Sequence, residues 1–162
     1  MRFLDTVSGL AEDFFFKNGN PTWKGTDGVE HTLATPAFGQ NFNQEHDDTY
    51  RTATGSNVTA VSLTTDELAI GKYRIGQSIA WNMNTTSYNI IVELWVDGSV
   101  AESLEMETKD SGTDIRNYTT GFGYMDITAG GSTHLVEIKF RSENSSYTAK
   151  MYHQSLEFWR VE

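Results

Sequence analysis

The sequence predicts an all-β protein, an antiparallel β-sandwich preceded by a short N-terminal β-hairpin segment, and three observations predict it. The composition suits pleated strands joined by tight turns: 14 glycines, two prolines, many Thr and Ser, and 12% aromatic residues in 162 positions. Apolar and polar residues alternate with a period of two through several stretches. Turn signals separate those stretches, at Asn18-Gly19, Thr26-Asp27-Gly28, Asp97-Gly98 and Ala129-Gly130-Gly131. A folded chain of this length buries roughly 70% of its extended surface, enough for a core without staples.

The first 48 residues read apart from the rest. Residues 5–12 carry a helical signal of one or two turns, capped by Asp5 or Ser8 and weakened by Gly9. Phe14, Phe15 and Phe16 lead into Asn18-Gly19, a pair that accepts positive φ at both central positions of a hairpin turn. A second turn, at Thr26-Asp27-Gly28, separates short runs at 21–24 and 29–33. The result is a small meander with an aromatic cluster of Phe14, Phe15, Phe16 and Trp23. Such a ribbon is marginal in water by itself, so it is expected to pack on something else. Residues 34–48 are polar and aperiodic and read as a linker or a long first loop.

Residues 49–162 carry eight candidate strands, at 50–54, 58–63, 71–81, 90–96, 102–108, 122–127, 134–140 and 148–161. Tyr73, Ile75, Ile79 and Trp81 share one face, and Arg74, Gly76, Ser78 and Ala80 the other. Ile90, Val92, Leu94 and Val96 form a second apolar face; Val136, Ile138 and Phe140 form a third. One buried and one free face per strand implies two sheets packed face to face.

Charge and cysteine usage narrow the function classes. Twelve basic against 22 acidic residues leave a net charge of −10, so neither a nucleic-acid backbone nor an anionic membrane surface is an expected partner. Without cysteine there are no disulfides, thiolate zinc sites or Cys nucleophiles. No leader of the secretory type is read, because Asp5, Glu12 and Asp13 interrupt any apolar stretch, and no apolar run approaches the ~20 residues of a membrane helix.

Catalytic signals are poor, and the expectation is a protein that is not an enzyme, with no cofactor, no metal and no catalytic residues. His46-Asp47-Asp48 offers an imidazole beside two carboxylates, but neighbours on an extended strand point to opposite faces. His31, His134 and His153 stand on separate presumed strands without metal-ligand spacing and read as structural. Glu93, Glu102, Glu105, Glu107 and Glu137 could in principle supply paired acids, yet Glu105 and Glu107 two apart suit a solvated strand face. Four sequons, at Asn57, Asn84, Asn117 and Asn144, read as chance in a chain rich in Asn, Thr and Ser.

The aromatic residues exceed what a core of this size requires. Trp95 falls opposite Ile90, Val92 and Leu94, which makes its strand apolar on both faces, a pattern of core packing under a covering loop or of an oligomer interface. Gly121 and Gly123 flank Phe122, permitting close backbone approach there.

Residues 68–75, Leu-Ala-Ile-Gly-Lys-Tyr-Arg-Ile, followed by Trp81, resemble the L-x-x-G-x-Y-R-I … W strand of trimeric jelly-roll domains in tailed-phage virion proteins. Those domains look like tumour necrosis factor and complement globular heads. Residues 91–98 ending in Asp97-Gly98, residues 121–130 ahead of His134, and the closing run 156–161 fit the same order and spacing over about residues 49–162. Phe38-Gly39-Gln40-Asn41-Phe42 is similar to what precedes the jelly roll in such proteins.

The resemblance implies a TNF-like jelly-roll trimerisation domain at 49–162 and a virion-attachment segment with linker at 1–48. It implies a non-enzymatic virion component on the particle exterior: capsid decoration, head fibre or spike, assembled in a bacterial cytoplasm. Its partners would be two further copies of itself and the major capsid protein or another virion protein. Docking is assigned to Phe14, Phe15, Phe16 and Trp23, and the trimer interface to Trp95, Tyr118, Phe122, Tyr124 and Trp159. The alternative is a tail-fibre tip that stacks host glycans on Tyr88, Tyr118 or Tyr147.

Overall fold

The computed structural model describes residues 2–4, 11–17, 20–24, 30–32, 42–110, 112 and 115–162. Among them the chain forms thirteen strands in three antiparallel sheets and no helix. It divides into two compact units, Met1–Ala37 and Phe38–Glu162.

In the first unit β1 (Arg2–Leu4), β2 (Ala11–Lys17), β3 (Asn20–Lys24) and β4 (Glu30–Thr32) form a sheet in that order. β2 and β3 pair antiparallel from Asp13↔Lys24 to Lys17↔Asn20, and the Asn18-Gly19 pair between them lies outside the described residues. The small meander expected here has four strands. Ala11 and Glu12, expected at the end of a helical turn, open β2, where they pair with Leu4 and Phe3. The rest of that helical stretch, residues 5–10, and the turn at Thr26-Asp27-Gly28 lie outside the described residues.

The second unit is a two-sheet sandwich. Its strands are β5 (Asn43–Asp47), β6 (Arg51–Ala53), β7 (Val58–Thr64), β8 (Gly71–Met83), β9 (Ile90–Val96), β10 (Ser99–Met106), β11 (Asn117–Ile127), β12 (Leu135–Ser142) and β13 (Ala149–Arg160). One sheet runs β10-β9-β12-β7 and the other β11-β8-β13-β5, with β6 also on β13. From β7 onward the chain crosses between sheets at every connection except β9 to β10, giving the antiparallel sandwich of the jelly-roll kind. That exception is the Asp97-Gly98 turn, with φ of 49° and 79°, positive at both central positions.

The alternating apolar positions meet between the sheets. Val61, Leu63, Ile90, Val92, Leu94, Val136, Ile138 and Phe140 from one sheet cover Tyr73, Ile75, Ile79, Trp81, Met151, Leu156 and Phe158 from the other, all buried. The Tyr73 and Phe158 rings stack at 5.0 Å, and the Tyr73 hydroxyl donates to the Ala69 carbonyl at 3.0 Å, so the largest buried polar tip is satisfied. Gly71 begins β8 where a Cβ would collide with the Glu162 main-chain oxygen, so the closing residues can lie directly on the strand.

Two features depart from the sequence reading. Asn43–Asp47, expected within a linker, is an edge strand on β13, from Gln154↔Asp47 to Phe158↔Asn43. Its polar side chains stay exposed or half-buried at that edge, so the strand lacks the apolar alternation that marks the others. In β13 the register slips by one residue between Met151 and His153, a β-bulge at Tyr152. Ala149 and Met151 point inward before it; Gln154, Leu156 and Phe158 point inward after it. Residues 48–50, which separate β5 from β6, lie opposite this bulge, because Asp47 pairs with Gln154 and Arg51 with Met151.

That interruption is held by Asp47, whose carboxylate accepts from the Arg51 guanidinium at 2.8 Å and from the Thr49 amide at 2.6 Å. Arg51 first, and Thr49 second, hold the Asp47 carboxyl well below the usual carboxylate range. A depressed folded-state value means that the stabilisation is complete above the unfolded value of about 3.9 and disappears as pH falls through the folded one. Asp47→Asn is expected to cost about 0.2–1 kcal/mol at neutral pH. Melting curves from pH 7 to pH 2 should show the gap between variant and parent closing only below about pH 4. Phe140→Ala, which empties a fully buried ring position, is expected to cost about 3–5 kcal/mol in urea unfolding.

Candidate functional site

The outer face of the β11-β8-β13-β5 sheet is where exposed aromatic residues collect. β11 alternates strictly, with Tyr118, Thr120, Phe122, Tyr124 and Asp126 turned to solvent. Tyr118 is 72% exposed, Phe122 53% and Tyr124 57%, values that leave most of each ring in water. Tyr124 pairs with Arg74, and Arg74 with Trp159, so one row across three strands reads Tyr-Arg-Trp. The Arg74 guanidinium lies 4.4 Å from the Phe122 ring centroid and 4.9 Å from that of Trp159, and Lys72 Nζ lies 5.3 Å from that of Tyr124. These cation–ring contacts hold the side chains in place while the outward ring faces stay open. Phe42, also exposed, extends the patch beside Trp159 at 6.3 Å.

Beside Arg74 and Trp159 runs a shallow groove of about 230 Å³ lined also by Gly76, Ser78, Thr120, Ser155 and Glu157, among others. Further along the face a pocket of about 430 Å³ is walled by Tyr50, Tyr118 and Tyr152 with Asp48, Ser78, Arg116 and His153. Tyr50 and Tyr152 pack at 5.2 Å, and Arg116 lies 4.6 Å from the Tyr152 ring.

Beside that pocket, His46 Nε2 is 2.9 Å from Asp48 Oδ2 and His153 Nδ1 is 2.8 Å from Asp48 Oδ1. The two imidazoles meet edge to face at 4.5 Å. These hydrogen bonds, from His46 first and His153 second, hold the Asp48 carboxyl below its usual value. Asp47 turns the other way, as strand alternation requires. His134 does not join them; its Nδ1 pairs with Asp97 at 2.7 Å near the β9–β10 turn.

Four of the five residues expected at a trimer interface, Tyr118, Phe122, Tyr124 and Trp159, therefore share one sheet face. Trp95 does not, because β9 belongs to the other sheet. There its Nε1 donates to Glu93 at 2.9 Å and Lys139 sits 4.3 Å from its ring. Glu93 also accepts from Asn57 at 2.8 Å and faces Arg141 at 3.8 Å, while Glu137 pairs with Lys139 at 2.9 Å. Two of the carboxylates weighed for catalysis are thus engaged by cations and amides. Tyr88 and Tyr147 pack on each other at 4.9 Å. The expected docking residues Phe14, Phe15, Phe16 and Trp23 lie on β2 and β3, with Phe14 paired to Trp23. Their side chains, and that of His31, lie outside the described residues.

The convergence of His46, Asp48 and His153 escapes a sequence reading because 105 residues and a bulge separate Asp48 from His153. The sequons hold structural amides: Asn84 Oδ1 accepts from the Thr148 amide at 2.8 Å, and Asn117 Nδ2 donates to Thr108 at 3.2 Å.

No protein-family model and no curated protein matches the chain. Among solved structures it is similar to infectious bursal disease virus of the Gx strain, at 13% identity over 93% of this chain and 41% of that one, with a TM-score of 0.49. The Gt strain gives 12% identity over 88% and 43%, with a TM-score of 0.48. A family 35 carbohydrate-binding module from an environmental isolate gives 17% identity over 64% and 66%, with a TM-score of 0.38. The chain spans less than half of the viral chains it matches, and at these identities the likeness concerns the path of the backbone alone.

Proposed function

We propose that this chain is a non-enzymatic structural component of a tailed-phage particle, a capsid-decoration, head-fibre or spike protein on the particle exterior. It trimerises through the TNF-like sandwich and docks onto the major capsid protein or another virion protein through its N-terminal unit. The observation that carries this reading is the row of solvent-facing rings, Tyr118, Phe122, Tyr124 and Trp159, on one sheet face. Contiguous apolar patches on a soluble surface mark association sites, and an aromatic side chain fully covered removes about 150–250 Å² from water. Arg74 and Lys72 lie in that patch, which favours self-association of a chain whose net charge is −10.

The N-terminal unit supports the second half of the proposal. It is compact by itself and carries four aromatic residues on two paired strands. In a trimer three such units present their contacts together, so a weak single contact suffices through avidity.

Light scattering on the purified chain tests the assembly. The expected mass is three times 18.2 kDa at micromolar concentration. Phe122→Asp and Tyr124→Asp are each expected to lower it to a single chain that keeps its β-sheet circular dichroism and melts at a lower temperature than the parent, as the loss of subunit association requires. A parent protein of single-chain mass would overturn the trimer. Removal of residues 1–37 is expected to leave three chains per particle of the shortened protein in light scattering and to abolish binding to virions; a truncated protein that still decorates them would refute the docking role.

The pocket walled by Tyr50, Tyr118 and Tyr152 favours one second reading, a glycan-binding tip, since sugar rings stack on exposed aromatic faces. A glycan array with saturable binding that Tyr118→Ala removes would select it over decoration.

A further inference from the structure

We propose that His46, Asp48 and His153 form a binding site for a divalent transition-metal ion of the zinc type, at the edge of the outer sheet face. The three residues offer one ligand atom each, and those atoms lie within 4.8 Å of one another. Two imidazoles and one carboxylate are a donor set for zinc rather than for the all-oxygen ions calcium and magnesium. The inference concerns this cluster alone and does not depend on the trimer or on attachment to a particle.

Three structural features assemble the set. Strand alternation puts His46 and Asp48 on one side and sends Asp47 to Arg51 on the other. The break between β5 and β6 frees Asp48 from the ladder at that level. The β13 bulge then turns His153 outward next to Tyr152, although Gln154 immediately after it is buried. Bulges that re-aim a side chain recur beside functional sites. Here the bulge and the break face each other across the sheet, and the three ligands sit at that point.

The electrostatics and access agree. Among the described residues both oxygens of Asp48 are held by imidazoles and neither by Lys or Arg. The side chains are 51%, 68% and 38% exposed for His46, Asp48 and His153, so a hydrated ion reaches them without opening the core. With ligand bonds of about 2.0–2.2 Å the ion replaces the two hydrogen bonds to Asp48. Each neutral imidazole then carries its proton on the ring nitrogen turned away, Nδ1 in His46 and Nε2 in His153. Three protein ligands leave a fourth position to water. Because His46 and Asp48 come from the edge strand and its end and His153 from β13, the bound ion would staple that edge to the sheet and raise stability by linkage.

Isothermal titration calorimetry with zinc chloride, using the untagged 162-residue chain dialysed free of chelator, tests the site. The expected result is saturable binding of one zinc per chain, with no saturable uptake of magnesium or calcium. His46→Ala and His153→Ala are each expected to weaken zinc binding about tenfold or more, while His134→Ala leaves it unchanged. Zinc should raise the melting temperature of the parent and of His134→Ala, but not of the two site variants. Asp48→Asn, nearly isosteric and exposed, provides the same comparison should a histidine variant fail to fold. Absence of saturable zinc uptake by the parent, or an affinity in His46→Ala and Asp48→Asn equal to that of the parent, would overturn the proposal.

Discussion

The path of β13 decides what the second sheet shows to the core and to solvent. It pairs with β8 on one side and with β5 and β6 on the other, so its face assignment propagates to both neighbours. Strand side chains repeat every two residues, so an unbulged β13 could not bury Ala149 and Met151 together with Leu156 and Phe158. The extra residue at Tyr152 reconciles the two halves. It also delivers two consecutive side chains, Tyr152 and His153, to the outer face, where one meets Arg116 and Tyr50 and the other meets Asp48.

The two outer faces of the sandwich treat their large side chains in opposite ways. On the β10-β9-β12-β7 sheet, Trp95 is absorbed into a network in which Glu93, Asn57, Lys139, Glu137 and Arg141 satisfy one another. On the other sheet, Lys72 and Arg74 sit over the Tyr124 and Phe122 rings while Tyr118, Phe122 and Tyr124 keep more than half of their area in water. A charged network closed on itself gains little from a partner, because its ions would have to be desolvated without new contacts. Braced rings gain from being covered and lose little side-chain entropy in the process. This asymmetry is the physical reason for placing association on one face and not on both.

How much of this the amino-acid sequence discloses follows from the kind of signal each element carries. β8, β9 and β12 are legible because a buried face and a solvent face leave a period of two, and Tyr73, Ile75, Ile79 and Trp81 face the core as that period requires. Asp97-Gly98 is legible because few residues tolerate positive φ in succession. β5 is not legible: Asn43, Gln44, Glu45, His46 and Asp47 form an edge strand without an apolar face, and its hydrogen bonds to β13 leave no mark on residue type. Alternation likewise tells which face of a strand a residue occupies but not which sheet the strand joins. That is why Trp95 could be grouped with Tyr118, Phe122, Tyr124 and Trp159 from sequence and yet stand on the other sheet. The His46, Asp48 and His153 cluster depends on a slip of register, which no local pattern encodes.

Edge strands expose unpaired backbone groups and invite unwanted pairing, so proteins protect them with charge, irregularity or cover. β5 has the first two: exposed polar side chains, and a break at residues 48–50 that prevents one long flat edge from forming with β6. The break removes ladder hydrogen bonds at that level, and what remains there is side-chain chemistry: Asp47 bound to Arg51 on one side, and Asp48 between two imidazoles on the other. The first ties the interruption together within one segment of chain. The second ties it across to β13. A device that keeps the edge from pairing with other chains thereby concentrates titratable and ring side chains at one point of the sheet, next to the pocket of Tyr50, Tyr118 and Tyr152. Interruption of the edge and convergence of His46, Asp48 and His153 are, in this fold, consequences of the same local irregularity.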